Sequence, residues 1–135
     1  MNLIMSDTRP KLFKTVAFVA YPVTDMKRAR AFYEEGLGLT VTANWEDKWI
    51  EYDIGEGTLA LMGADEKHKP GTGGAMLGLE VVDLDASLAH LKAKSIPLEG
   101  EPYDTPVCRG CIIHDPDHNE VLLHAKKQGA VPPGM

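Results

Sequence analysis

The 135-residue sequence contains no apolar run approaching the roughly 18 residues that a membrane span requires. Its opening, Met1-Asn2-Leu3-Ile4-Met5-Ser6-Asp7, has neither the basic flank nor the apolar length of a signal peptide. The expected location is therefore the cytoplasm. Basic runs are also missing: a net charge of −6 leaves no footprint for a phosphate backbone, and nucleic acid is not an expected partner. Cysteine is scarce. Cys108 and Cys111 stand three apart in a stretch that reads as extended. At the rise of a strand their Cα atoms would be about 10 Å apart. A disulfide needs less than about 7 Å, so two free thiols are expected. With 44% hydrophobic residues the chain has enough apolar surface to bury a core without covalent staples.

An internal repeat is the main positive signal. Phe18-Val19-Ala20-Tyr21-Pro22-Val23-Thr24-Asp25-Met26 lies over Met76-Leu77-Gly78-Leu79-Glu80-Val81-Val82-Asp83-Leu84 at an offset of 58 residues. After each Asp the apolar period lengthens from that of a strand to that of a helix. Ala29, Phe32, Tyr33 and Leu37 mark one helix, and Leu84, Leu88 and Leu91 the other. Asp25 and Asp83 are predicted N-caps. Gly57–Met62 then corresponds to Asn119–His124 at an offset of 62. Strands are predicted near Lys14–Tyr21, Leu39–Trp45, Lys48–Ile54 and Thr58–Met62, and again near Ala75–Val82, Leu98–Pro102, Cys108–His114 and Glu120–Ala125. The fold class is α+β, two tandem βαβββ modules. One domain over 14–127 divides into module one (14–66), a Gly-rich linker (67–74) and module two (75–127). Residues 1–13 and 128–135 are expected to be flexible tails.

Val23-Thr24-Asp25-Met26, Ala31-Phe32-Tyr33-Glu34-Glu35-Gly36-Leu37-Gly38-Leu39, Val81-Val82-Asp83-Leu84 and Asp115-Pro116-Asp117-His118-Asn119 resemble the vicinal oxygen chelate superfamily. That superfamily includes glyoxalase I, extradiol dioxygenases, fosfomycin-resistance enzymes and bleomycin-binding proteins. The resemblance runs from about Lys14 to Lys127. It implies mixed sheets that each curl around a cavity, commonly in a homodimer. It further implies four metal-ligand positions on the first and last strands of the modules, usually His, Gln or Glu. In this sequence they fall on Phe18, Ala60, Met76 and Leu122, none of which can bind a hard cation. The repeat supports that register, pairing Phe18 with Met76 and Ala60 with Leu122. No cofactor is expected, and a non-standard divalent metal held by His124 with Glu80 or Glu120 stays open.

Cys108-x-x-Cys111-x-x-His114 has the look of zinc spacing. In a strand, however, its two cysteines point to opposite faces, and Cys108 and His114 are about 20 Å apart. His114 and His118 flank a turn, and His118 occupies a position often filled by Gly in the resembled family. Period 2 places Phe18, Ala20, Pro22, Met76, Gly78 and Glu80 on the cavity face, with Cys108, Gly110 and Ile112 facing in and Arg109 facing out. His124 shares the face of Leu122. It reads either as a ligand donor or general base, or as a histidine paired with a carboxylate at a strand end. Glu80 reads either as a buried acid or base or as a rim residue in water. Cys108 is a nucleophile only if a neighbouring base lowers its pKa. Trp45 and Trp49 bracket Glu46-Asp47-Lys48 as a cavity wall or as hairpin packing.

Three functions follow, in order. The first is a metal-independent binder of a small organic molecule in a mostly apolar cavity, similar to the bleomycin-resistance proteins. Phe18, Ala20, Trp49, Met76, Gly78, Ile112, Leu122 and His124 would line it. The second is an enzyme, a glyoxalase-like lyase or isomerase or a dioxygenase relative, with His124, Glu80 and Cys108 as catalytic candidates. The third is a dimeric interaction module whose cavity is filled.

Overall fold

The computed structural model describes residues 12–128. The tails expected at 1–13 and 128–135 therefore lie, apart from Leu12, Phe13 and Gln128, outside the described residues. Two four-stranded mixed sheets carry the fold, which is α+β. The first contains β1 (Val19–Val23), β2 (Thr40–Trp45), β3 (Trp49–Asp53) and β4 (Thr58–Gly63), in the order β1-β4-β3-β2. The second contains β5 (Leu77–Glu80), β6 (Tyr103–Asp104), β7 (Cys108–His114) and β8 (Glu120–Lys126), in the order β5-β8-β7-β6. In each sheet the first and last strands pair in parallel and the other pairs are antiparallel. The repeat extends to the register: Val19 faces Leu59 and Leu77 faces Val121, matching the offsets of 58 and 62 read in the sequence.

The helices start where the two aspartates stand. The Asp25 carboxylate accepts from the Arg28 N–H and that of Asp83 from the Ala86 N–H, each at 3.1 Å, closing α1 (Met26–Arg30) and α2 (Leu84–Ala93) at their N-termini. Such caps contribute about 1 kcal/mol each. Past Arg30 the first helix widens into a π-helical stretch, Ala31–Gly36, with Leu37 N–H donating to Phe32 O at 2.9 Å. This wider turn buries Tyr33 completely. One face of each sheet packs against the helices, and Tyr21, Val23, Leu59 and Leu61 join Leu84, Leu91, Val121 and Leu123 in a single core. On the opposite faces Ala20, Ile112 and Leu122 are partly exposed.

Asp115-Pro116-Asp117-His118-Asn119, expected as a turn, is also a polar junction between the halves. His118 takes φ of 66°, the left-handed conformation that favours Gly, Asn or Asp. Asp115 is buried and accepts from the N–H groups of Asp117 and Asn119, from the Asn119 amide and, at 2.9 Å, from the Tyr33 hydroxyl. Asn119 reaches further, donating to Pro22 O and accepting from Gly71 N, both at 2.9 Å.

Two strand expectations are corrected. The first strand begins at Val19 rather than Lys14, because the ladder with β4 begins at the Val19–Leu59 pair. Leu98–Pro102 is not a strand. Gly100 turns the chain with φ of 67°, Pro102 has no N–H to donate, and a single backbone bond, Glu99 N–H to Ile112 O at 2.7 Å, joins this stretch to β7. The strand that pairs with β7 on the side away from β8 is Tyr103–Asp104.

Candidate functional site

On the open face of the first sheet, β1, β4 and β3 set Ala20, Ala60 and Glu51 side by side. Ala60 is fully buried although it lies on this face. Phe18, just before β1, reaches the Trp49 ring of β3 edge-on at 5.3 Å between centroids. The strand between them carries the small Ala60, which leaves room for that contact. Trp49 donates its indole N–H to Glu51 at 2.8 Å. Trp45 pairs with Trp49 across the hairpin and remains 56% exposed. Glu46 and Asp47 both adopt positive φ in the three-residue connection 46–48, where Lys48 N–H donates to Trp45 O at 2.9 Å.

The second sheet presents a different surface. Gly78, Leu122 and Ile112 form one row across β5, β8 and β7. The next row runs Glu80, His124, Gly110, Tyr103 across all four strands. Cys108 stands two residues before Gly110, opposite Lys126, and so shares this face diagonally from His124. Diagonal neighbours lie about 7–8 Å apart at Cα, within reach of long side chains. Met76, just before β5, is half exposed. Gly110 is bare because it must be: a Cβ there would sit 2.5 Å from Leu123 O and against the Tyr103 ring.

The polar groups of that row are tied together. The Nδ1 of His124 lies 2.6 Å from Glu80 Oε1, and the second Glu80 oxygen accepts from Lys126 N–H at 2.8 Å. That backbone donor, followed by the His124 ring, holds the Glu80 carboxyl below its ordinary range, so it stays ionised. The same carboxylate pushes the His124 pKa upward. Thr105 Oγ1 lies 3.3 Å from Cys108 Sγ, and Thr105, His124 and Tyr103 together pull the thiol pKa down. Cys111, on the opposite face and 1% exposed, has its thiol pKa raised by burial. Both cysteines are free. Arg109 faces away as expected and pairs with Asp85 of α2 at 3.2 Å. Glu80 is a rim residue, 57% exposed at its side chain. His114 turns to Glu99 at 2.6 Å.

Phe18, Ala60, Met76 and Leu122, the positions at which the resemblance implies metal ligands, bear no nitrogen or oxygen donor on their side chains. They do not fit a divalent ion, and no chemical step is derived through one. Among the described residues there is no group of three or more His, Cys, Asp or Glu able to hold a metal. No described helix is long and apolar enough to cross a membrane.

Sequence reasoning named Glu80, His124 and Cys108 but missed Tyr103 and Thr105. Tyr103 fell beyond the strand predicted at Leu98–Pro102. The available signal was Gly110, since a glycine inside a strand marks a close approach. A hollow of about 540 Å³ on the helix side, between Leu37, Leu39 and Ile54 of the first half and Leu79, Leu91 and Leu123 of the second, was not expected either. It is mainly apolar, and its His90 ring is already engaged with Gly36 O at 2.9 Å. The Glu80–His124–Cys108 cluster is the better candidate site, because it gathers titratable groups with shifted pKa values on one sheet face around a partly exposed thiol.

Residues 15–123 match the profile of the Glyoxalase/Bleomycin resistance protein/Dioxygenase superfamily. The chain is 28% identical over 118 residues to an uncharacterized protein, YraH, of Bacillus subtilis (strain 168), a match spanning 76% of this chain and 91% of that one. Among solved structures it is similar to TnmS3, an antibiotic binding protein from Streptomyces sp. CB03234, with TM-score 0.76 and 26% identity over 87% of this chain and 100% of that one. Lactoylglutathione lyase from Agrobacterium tumefaciens shares the fold at TM-score 0.71 and 21% identity, over 85% of this chain and 96% of that one.

Proposed function

The chain belongs to the Glyoxalase/Bleomycin resistance protein/Dioxygenase superfamily, and on that premise we propose that it is a metal-independent binder of a small organic molecule, acting as a cytoplasmic homodimer. The single domain is taken as 14–127, with the modules and linker bounded as above and the tails outside it. The ligand lies on the open sheet faces, against Phe18, Ala20 and Trp49 in one module and Met76, Gly78, Ile112, Leu122 and His124 in the other.

The observation that carries this reading is the make-up of those faces. Large apolar side chains stand in water there, with Phe18 46% and Met76 50% exposed. Exposed apolar surface of that kind marks a ligand or partner site. A few polar groups converge beside it at Glu80 and His124, the usual composition of a pocket for an organic molecule. The similarity to TnmS3, described as an antibiotic binding protein, supports the same reading.

The test is metal analysis of the purified protein, sizing in solution and calorimetric titration with a panel of aromatic and polycyclic compounds. Expected are a dimer, no stoichiometric divalent metal, and saturable binding weakened at least tenfold by Met76→Glu. Stoichiometric metal lost in His124→Ala would overturn the metal-independent reading. A second reading, an enzyme, is favoured by one feature: a thiol, an imidazole and a carboxylate share one face of the second sheet.

A further inference from the structure

We propose that Cys108 is a nucleophile that adds to the electron-poor carbon of an α,β-unsaturated carbonyl ligand on the open face of the second sheet, with His124 as the proton donor and Glu80 as the residue that positions it. The choice of an organic ligand rests on the binding role proposed above; the nucleophile itself does not.

The placement is specific. Four strands each contribute one group to a single face: Glu80 from β5, His124 from β8, Cys108 from β7 and Tyr103 from β6. The His124 ring is one-third exposed, so a small molecule can approach it. The groups facing Cys108 from the packed strands are His124 and Lys126 on β8, Tyr103 on β6 and, through His124, Glu80 on β5. Asp104 of β6 is engaged by Lys127 at 2.6 Å. Thr105 closes the other side of the sulfur. Each of Thr105, His124 and Tyr103 favours the thiolate, and Glu80 favours the imidazolium.

The class of chemistry follows from what surrounds the pair. Acyl transfer needs donors aimed at a developing oxyanion. On this sheet the backbone N–H groups beside the thiol are already used: Cys108 N–H goes to Thr105 Oγ1 at 3.0 Å and Lys126 N–H to Glu80. Conjugate addition spreads the developing charge over the α-carbon and the oxygen of an enolate, and the soft nucleophile and proton donor it uses are both on this face. The Cys108 sulfur forms a C–S bond to the β-carbon. The π pair of the C=C bond shifts toward the carbonyl to give an enolate. The α-carbon then takes the proton from Nε2 of the His124 imidazolium, the nitrogen not held by Glu80, leaving neutral imidazole. Across the whole step the S–H bond adds across the C=C bond, with no oxidant, reductant or leaving group. Apolar Leu122 and Ile112 in the adjoining row would hold the carbon skeleton.

The full-length protein is treated with N-ethylmaleimide, a conjugate acceptor, and separately with iodoacetamide, which alkylates by displacement and needs no proton. Intact mass and peptide mapping should show one fast addition at Cys108 while Cys111 stays unmodified. The pH profile of the Cys108 rate should be centred below the ordinary thiol value of 9.0. His124→Ala and Glu80→Gln should move that centre up. At neutral pH, His124→Ala should slow maleimide addition about tenfold or more, and by a larger factor than it slows iodoacetamide. Far-ultraviolet circular dichroism of each variant establishes that it is folded. A profile centred on the ordinary thiol value, equal labelling of the two cysteines, or equal penalties with the two reagents would each overturn the proposal. None of those outcomes touches the binding reading, which is tested by calorimetry with non-electrophilic compounds.

Discussion

Tyr33 and Asp115, 82 residues apart, meet in the core, where the tyrosine hydroxyl donates to the carboxylate at 2.9 Å. Tyr33 comes from the π-helical stretch of the first half and Asp115 from the turn between β7 and β8 in the second. Burial, followed by the adjacent Asp115 carboxylate, pushes the Tyr33 pKa far up, which keeps the hydroxyl the donor of this bond. Tyr33→Phe removes that donor and leaves Asp115 with its remaining partners from Asp117 and Asn119. The expected cost is about 1–3 kcal/mol, read as a lower urea midpoint at unchanged slope. A loss below about 0.5 kcal/mol would mean the contact contributes no more than a surface substitution.

Gly110 is the second test of packing. Gly110→Ala would place a methyl group 2.5 Å from Leu123 O, a backbone atom of the neighbouring strand, as well as against Tyr103. A side chain can yield, but a strand carbonyl held in a ladder cannot without disturbing its neighbours. The expected destabilisation is about 1–3 kcal/mol, measured by thermal unfolding. Adding Tyr103→Ala should recover only part of it, since the backbone clash remains. Full recovery would show that the tyrosine ring alone requires the glycine.

The Glu80–His124 pair predicts a pH dependence of definite sign. The His124 pKa is raised, so its share of the pair's stabilisation is complete below its ordinary value of 6.5 and is lost as pH climbs through the raised native value. The Glu80 pKa is lowered, so its share is present above its ordinary value of 4.5 and is lost as pH falls through the lowered native value. Both contributions are in place between those two ordinary values. NMR titration should give a His124 midpoint above 6.5, and Glu80→Gln should bring it down. The stability difference between wild type and Glu80→Gln should be greatest in that window and shrink at alkaline pH. It should also be small, because both side chains are solvated. A His124 midpoint unmoved by Glu80→Gln would show that the 2.6 Å contact does not persist in solution.

Much of the backbone was legible in the residue order. Strand alternation and helix capping are local: a change of period after Asp25 and Asp83 announces two helices, and both aspartates cap them. The repeat did more, because two copies with matching offsets imply matching ladders, and Val19–Leu59 and Leu77–Val121 are the corresponding pairs. Where the local signal failed it was outweighed by pairing. Leu98–Pro102 holds a single apolar residue, Gly100 and Pro102 interrupt any ladder there, and the paired segment lies just beyond. The widening at Ala31–Gly36 left no trace in the apolar spacing, and its buried Tyr33 bonds to Asp115, a residue 82 positions away.

The sequence by itself determined which residues share a face, because successive side chains on a strand alternate sides whatever the strand's neighbours are. Glu80, His124 and Cys108 were candidates on that ground alone. Only the tertiary structure decided that they stand together, since sheet order and register are contacts between distant segments that no local period encodes. It set β8 between β5 and β7, so that His124 meets Glu80 on one side and stands diagonal to Cys108 on the other. It also brought Tyr103 over Gly110, to a place beside the thiol.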